Sequence, residues 1–99
     1  MKSTPKLRLS PIEKRALNIA LKDVKADVYL YGSRVDNNKK GGDIDILVIP
    51  HKKHNNTLEL ALQIQCNFFL YCEQKLDVLI YNNTPFCQEI FKKAVKLYE

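Results

Sequence analysis

The sequence predicts a small α/β (α+β) fold in which helices flank a mixed sheet of three to four strands. Helix-capping signals precede three stretches of helical composition, and short runs rich in β-branched and aromatic residues lie between them. A helix-length connection separates the second and third of these runs, which is the crossover that parallel neighbours require. With 99 residues, the chain fits a single domain that covers residues 1–99.

The first helix is predicted from the residues that begin it. Ser10 and Glu13 form a capping-box pattern, and Pro11 suits the first helical position. We expect this helix to run to about residues 22–25. Its inward positions are expected to be Ile12, Ala16, Ile19 and Ala20.

Two further helices are predicted in the second half of the chain. Asn56 can cap a long helix that runs to about Glu73. Thr84 followed by Pro85 opens the last helix. Residues 95–98 either continue this helix or leave it as a short strand, and the sequence leaves both open.

Three strands are predicted over residues 27–31, 43–49 and 76–81, each rich in strand-forming residues and followed by glycine, proline or asparagine. A polar loop of about eleven residues joins the first strand to the second. This length suits an antiparallel pair better than a parallel crossover.

Charge and cysteine usage narrow the classes of function. The chain has 16 Lys and Arg against 11 Asp and Glu, and its net charge of +5 suits a phosphate-bearing ligand, a nucleic acid or an acidic partner. The longest apolar runs, 46–49 and 68–72, are far below the roughly 20 residues that span a bilayer. Residues 1–6 lack the apolar segment of a secretory signal, and three cysteines without paired spacing predict reduced core thiols. We therefore expect a cytoplasmic protein without a membrane span.

Three aspartates and a Gly-Ser step are predicted to meet at one edge of the sheet. Asp43 and Asp45 are two residues apart on one strand and therefore share a face. Asp77 begins the parallel third strand at the same edge, where the antiparallel first strand ends with Gly32 and Ser33. Grouped carboxylates repel one another unless a divalent cation holds them, and oxygen ligands favour Mg²⁺ or Mn²⁺. Two such ions about 3.5–4 Å apart promote phosphoryl transfer. The alternative is that each aspartate is a solvated strand end.

The Gly-Ser step supplies the expected phosphate-binding half of this site. Gly32 would let the backbone approach a phosphate, and a short helical turn beginning at Ser33 would present free N–H groups to an anion. Nearby basic residues could screen the charge of a triphosphate, and the alternative is a solvated charge run. These residues are Arg34, Lys39 and Lys40.

The spacing of these residues resembles a known signature. The stretch from Tyr31 to Val48 carries Gly-Ser, a spacer and Asp-x-Asp, and residues 76–80 carry a third aspartate on a later strand. This combination resembles the signature of the minimal nucleotidyltransferases of the DNA polymerase beta-like superfamily, over nearly the whole chain from Ser10 onward. The spacer is one residue shorter than the commonest form, and Gly42 stands where many members have a small hydroxyl residue.

The resemblance implies a polymerase beta palm-like nucleotidyltransferase fold and an enzyme that uses ATP. The implied catalytic residues and metal ligands, for two Mg²⁺ ions with Mn²⁺ as the alternative, are Asp43, Asp45 and Asp77. The implied nucleotide-binding residues are Gly32, Ser33 and Arg34. Asp77 would also help to activate the acceptor hydroxyl.

Members of this size are often encoded beside a helical HEPN-type partner, and the resemblance implies a similar pairing here. In such pairs the small protein is the antitoxin, and some members transfer AMP from ATP to a tyrosine of the partner. The expected function is Mg²⁺-dependent transfer of a nucleoside monophosphate, AMP from ATP, to a hydroxyl of a HEPN-type partner. The alternative is a catalytically weak module that neutralises its partner by binding. Direct nucleic-acid binding is not expected, because the carboxylates would repel phosphates, and a homo-oligomer stays open.

The predicted helix after Asn56 has more apolar surface than one buried face needs. Its apolar residues cover about 240° of the helical wheel, against the roughly 100° stripe of a surface helix. One face consists of Leu58, Ala61, Leu62, Cys66, Phe69 and Cys72. The other consists of Leu60, Ile64, Phe68 and Tyr71. Either the helix is sandwiched between the sheet and its neighbours, or the surplus stripe is a protein interface.

Overall fold

The computed structural model describes residues 9–35, 43–53 and 55–97, except the side chains of residues 33 and 34. The helices in this part are α1 (Pro11–Leu21), α2 (Thr57–Phe69) and α3 (Pro85–Lys93). The strands are β1 (Ala26–Tyr31), β2 (Ile44–Pro50), β3 (Leu76–Ile80) and β4 (Val95–Lys96). A 3₁₀ turn, Gly32–Val35, follows β1 directly.

The sheet is mixed, which confirms the predicted fold class. Its strand order is β3-β2-β1-β4. β1 pairs antiparallel with β2 and with β4, whereas β2 pairs parallel with β3 across the α2 crossover. Both predicted pairings are therefore confirmed, and residues 95–96 form the short strand rather than an extension of α3.

α1 begins as its capping signals predict but turns a different side to the core. The Ser10 N–H donates to Glu13 Oε1 at 2.8 Å, and the Glu13 N–H donates to Ser10 Oγ at 3.2 Å. The helix ends at Leu21, slightly before the expected range. Its buried residues are Glu13, Ala16, Leu17, Ala20 and Leu21. The inward position expected for Ile12 is wrong, because its side chain is 61% exposed, and Ile19 is only half-buried. The buried stripe therefore lies about one residue, or about 100°, further round the helix than expected, where Leu17 and Leu21 supply more apolar surface.

α2 also begins at its predicted cap and ends earlier than predicted. The Asn56 side-chain oxygen accepts a hydrogen bond from the first turn at 2.9 Å. The helix ends at Phe69 rather than at about Glu73. Its last turn tightens, because the Tyr71 N–H donates to the Phe68 carbonyl three residues earlier at 3.0 Å.

The two faces of the sheet are covered by different helices. α1 and α2 pack on one face, and the strand residues of this core are Val28, Leu30, Ile44, Ile46, Val48 and Leu76. α3 packs on the other face, where Leu47 and Cys87 are buried and the Phe91 ring meets the Tyr29 ring edge-on at 5.1 Å. Because side chains alternate along a strand, the odd-numbered residues of β2 and β3 lie on the α3 side.

Two expectations from composition can be compared with the fold. None of the helices in the three described ranges is long and apolar enough to cross a membrane. The cysteines are free, with Cys87 buried and Cys72 half-buried. Cys66 is exposed, so its expected core position is wrong, because it lies on a side of α2 that no other described element covers.

Candidate active site

Asp45 and Asp77 are neighbours at the predicted edge of the sheet. They are register partners on the parallel strands β2 and β3, and their carboxyl groups share a hydrogen bond. Asp43 comes immediately before β2 and stays at the same edge through a contact with Lys75.

The environment of Asp45 disfavours its charged form. Burial raises the pKa of Asp45, and its hydrogen bond with Asp77 and the charges of Asp77 and Asp43 raise that pKa further. The ammonium of Lys75 acts in the opposite direction on the same pKa. A cation that binds beside Asp45 would stabilise the charged form of this carboxyl. Perturbed pKa values of this kind concentrate at functional sites.

Gly32 is required by its own conformation and by Asp45. Its φ of +79° lies in a region where other residues are strained. A Cβ at Gly32 would lie 2.6 Å from Asp45 Oδ2, which is closer than real contacts allow. We expected Gly32 to make room for a phosphate, and the atom that approaches it in the structure is a carboxylate oxygen. The 3₁₀ turn confirms the predicted helical turn, although it begins one residue earlier than expected.

Lys75 lies beside the aspartates, and the sequence analysis missed it. Its Nζ is 3.6 Å from Asp43 Oδ2 and 4.0 Å from Asp77 Oδ1. The backbone at this point is held from two sides: the Ile44 N–H donates to the Lys75 carbonyl at 3.2 Å, and Gln65 Nε2 donates to the next carbonyl at 2.8 Å. The feature of the sequence that points to Lys75 is its position two residues before Asp77.

The donors at this edge fit a hard divalent cation. Across residues 9–35, 43–53 and 55–97, no three Asp, Glu, His or Cys side chains are grouped closely enough to chelate one ion. Asp45 and Asp77 form a close pair, whereas Asp43 contacts Lys75. This set still suits Mg²⁺, which is typically held by one or two carboxylates and completes its shell with water and phosphate oxygens.

Tyr31 is a further polar group at the site. It lies opposite Asp45 in the β1–β2 register and on the same face of the sheet. Burial, together with the charges of Asp45 and Asp77, raises the pKa of Tyr31 to about 12. Its phenol therefore remains a hydrogen-bond donor at neutral pH. Tyr29 and Tyr81 share this face but pack against the Phe91 ring, with centroid distances of 5.1 and 6.1 Å.

Part of the predicted nucleotide-binding segment lies outside the described residues. The backbone of Ser33 and Arg34 lies in the 3₁₀ turn, and nothing is described of their side chains. Residues 36–42, with Lys39 and Lys40, also lie outside the described part. Their proposed contacts with a triphosphate stay predictions.

One side of α2 is uncovered in the part of the chain that the structure describes. The buried residues of α2 are Leu60, Ala61, Ile64 and Phe68. The exposed side, here called the α2 stripe, consists of Leu58, Leu62, Cys66 and Phe69. Leu62 and Phe69 are 50% and 60% exposed, so this side of the helix is not sandwiched. Tyr71, which the helical wheel places on the same face as Leu60, Ile64 and Phe68, is also exposed because the helix ends before it. A mainly apolar cavity of about 540 Å³ extends from Leu62 and Phe69 to Lys75, whose ammonium contacts Asp43 and Asp77.

The fold and the carboxylate edge define a class of protein. The family model described as "Polymerase beta, Nucleotidyltransferase" matches residues 17–99, so the chain belongs to this nucleotidyltransferase family. The resemblance seen in the sequence is thereby confirmed. No curated protein matches the chain significantly.

Several solved structures share the fold, and toxin–antitoxin complexes are among them. One is a tri-AMPylated HEPN toxin of Shewanella oneidensis in complex with an MNT antitoxin, at 17% identity over 88% of this chain and 70% of that chain, with a TM-score of 0.60. A second is a toxin–antitoxin with AMP-PNP, at 18% identity over 86% and 72%, with a TM-score of 0.65. A third is the MntA-HepT toxin–antitoxin, at 17% identity over 90% and 72%, with a TM-score of 0.60. At these identities the similarity establishes the shared fold.

Proposed function

We propose that the protein is a Mg²⁺-dependent nucleotidyltransferase that transfers AMP from ATP to a hydroxyl of a HEPN-type partner and acts as its antitoxin. The observation that carries this proposal is the contact between Asp45 and Asp77 on adjacent parallel strands, with Gly32 directly against Asp45. In a chain of the nucleotidyltransferase family, paired carboxylates at a strand edge suit metal-assisted phosphoryl transfer.

The carboxylates that would hold the metal ions are those of Asp43, Asp45 and Asp77, with each ion taking one or two of them. We expect two Mg²⁺ ions, with Mn²⁺ able to replace them. When bound, they would stabilise negative charge on the attacking and leaving oxygens. The raised pKa of Asp45 supports this assignment, because a cation relieves the crowding that causes it.

The reaction would form one oxygen–phosphorus bond and break another. The acceptor oxygen attacks the α-phosphorus of ATP, pyrophosphate leaves, and the hydroxyl proton passes to a carboxylate, for which Asp77 is our candidate. The backbone of Gly32 and Ser33 would hold the triphosphate through its N–H groups, and Arg34 would offset part of its charge. Tyr31 would stay protonated throughout because of its raised pKa.

The α2 stripe would be part of the surface that receives the partner. α2 contains one charged residue, Glu59, so an apolar protein surface suits it better than a nucleic acid, whose binding relies on Lys and Arg. The cavity beside the stripe reaches Lys75. A polypeptide that docks on the stripe would have to extend past Lys75 to bring its hydroxyl to the carboxylates at the edge of the sheet. The solved complexes of an MNT antitoxin with a HEPN toxin support a protein as the partner.

Binding without catalysis is the second candidate, and the α2 stripe favours it. A module that only covers its partner needs the stripe but does not need the carboxylates. The two candidates therefore differ in their response to loss of the aspartates.

Transfer of label from ATP distinguishes the two candidates. The protein, a HEPN-type partner and Mg²⁺ are incubated with ATP labelled in the α-phosphate, and we expect label on the partner. The Asp43→Asn/Asp45→Asn double variant should give none, whereas Asp27→Asn, at the far end of the same sheet face, should transfer normally. Undiminished labelling by the double variant would contradict the catalytic proposal. If the double variant transfers no label but still neutralises the partner fully, the result favours binding alone.

A second pair of variants tests the docking surface. Leu62→Glu/Phe69→Glu places charge on the stripe and should abolish both complex formation and transfer. Gln63→Glu adds charge to an exposed position of α2 outside the stripe and should leave both intact. Normal transfer by the Leu62→Glu/Phe69→Glu variant would exclude the stripe as the docking surface.

A further inference from the structure

We propose that Lys75 is the internal counter-ion of the carboxylate edge, and that a divalent cation must displace its ammonium in order to bind there. This inference rests on the metal site of the proposed function and adds a regulation of that site. Its basis is geometric, since one ammonium lies 3.6 Å from Asp43 Oδ2 and 4.0 Å from Asp77 Oδ1. These are two of the three proposed metal ligands.

The backbone around Lys75 is held by hydrogen bonds, whereas the side chain of Lys75 is largely exposed to solvent. The Ile44 N–H holds the Lys75 carbonyl at 3.2 Å, which ties the residue to the start of β2. Gln65 of α2 holds the following carbonyl at 2.8 Å. The side chain is 66% exposed. The ammonium is therefore delivered to the carboxylates by a rigid turn and can leave them for solvent.

The contacts of Lys75 are of the kind that a metal ion can replace. Both distances are at the long end for an ion pair, and the two carboxylates are 45% and 42% exposed, beside the still more exposed Lys75. Exposed pairs of this kind are weak, because water competes for both partners. A doubly charged ion gains more from the same oxygens than a singly charged ammonium does, because the Coulomb attraction grows with the charge of the cation.

Displacement couples metal binding to nucleotide binding. Without a nucleotide, the metal ion must compete with the ammonium for Asp43 and Asp77. With a triphosphate present, the released ammonium finds phosphate oxygens nearby and loses little by leaving the carboxylates. Each ligand then strengthens the binding of the other, which is positive coupling between two sites. The protein would accordingly take up metal together with nucleotide rather than alone.

Mn²⁺ binding measured by electron paramagnetic resonance tests this inference without any transfer reaction. In the absence of nucleotide, Lys75→Met should bind Mn²⁺ about threefold to tenfold more tightly than the wild type, because a weak exposed competitor has been removed. Lys75→Arg keeps the charge and should resemble the wild type. Lys92→Met is the matched control, since Lys92 pairs with Glu89 at 3.1 Å on an exposed part of α3. A non-hydrolysable ATP analogue should tighten Mn²⁺ binding less in Lys75→Met than in the wild type.

Two negative results are distinguishable. If Asp45→Asn weakens Mn²⁺ binding while Lys75→Met binds like the wild type, the metal site stands and the counter-ion role of Lys75 is excluded. If Asp45→Asn binds Mn²⁺ like the wild type, the ion does not occupy the carboxylate edge, and the proposed metal site fails together with this inference. Weaker binding by Lys75→Met would also exclude competition.

Discussion

The two faces of the sheet differ in the burial and charge of their side chains, although the same strands build both. On the face beneath α1 and α2, Ile44, Ile46 and Val48 of β2 are completely buried. On the face toward α3, the alternating position Asp45 is half-buried among like charges. The period of two along β2 thus places the buried Ile46 and the proposed metal ligand Asp45 on opposite faces, and because of this separation substitutions at the two positions should change different properties.

Truncating the buried face should give the largest effect. Ile46→Ala removes three methyl or methylene groups from a fully buried position and should lower the free energy of unfolding by about 2–5 kcal/mol. Urea unfolding measures this loss. Leu62→Ala, on the exposed α2 stripe, is the control and should change the same free energy by less than about 0.5 kcal/mol. Equal losses in both variants would contradict the assignment of the core to the α1/α2 face.

Neutralising Asp45, which is adjacent to Ile46 in β2, should affect activity instead of folding. Asp45→Asn keeps the size of the side chain and removes a proposed metal ligand, so transfer of label from ATP should fall by about 10²–10³-fold. The free energy of unfolding at neutral pH should stay equal or rise, because a carboxyl crowded by Asp77 and Asp43 can no longer ionise. A variant that is inactive only because it is unfolded would contradict the separation between the two faces.

The sequence predicted this separation in part. Connection lengths gave the correct antiparallel and parallel pairings, and Asp45 is conspicuous because it interrupts an apolar strand. The contact of Gly32 with Asp45 could not be predicted, because it depends on how the chain turns after β1. Lys75 was missed for a similar reason: a long side chain reaches the aspartates from a turn whose direction is fixed by hydrogen bonds that are distant in sequence.

The side of α1 that faces the core is a second feature that the sequence pattern did not predict correctly. Apolar residues lie on both sides of Glu13, so a helical wheel allows either Ile12 or Leu17 to face the core. In the structure the stripe that contains Leu17 and Leu21 is buried, and Ile12 is left exposed. The side of a short helix that meets the core is thus decided by tertiary packing, which the helical wheel alone does not show.

Adding one methyl group at Gly32 should have an intermediate effect on stability. Gly32→Ala introduces a Cβ at positive φ and 2.6 Å from Asp45 Oδ2, and should lower the free energy of unfolding by about 1–3 kcal/mol. A double-mutant cycle with Asp45→Ala separates the two causes, because that substitution removes the clashing oxygen and leaves the backbone strain. We expect Gly32→Ala to cost less in the Asp45→Ala background. Equal costs in both backgrounds would mean that the carboxylate does not press on Gly32.

The smallest expected effect is a pH dependence that belongs to Asp45. Its pKa in the folded protein is raised above the usual 3.8, so the folded state binds this proton more tightly than the unfolded state does. The resulting stabilisation is present below the unfolded pKa and is lost as the pH rises through the folded pKa. The quantity to measure is the free energy of unfolding of the metal-free wild type minus that of Asp45→Asn. The contributions of the other carboxyls largely cancel in this difference. We expect the difference to fall as the pH rises across this window. A difference that rises or stays constant would contradict the raised pKa. Saturating Mg²⁺ should reduce the fall, since a cation beside Asp45 and Asp77 favours the charged form that crowding disfavours.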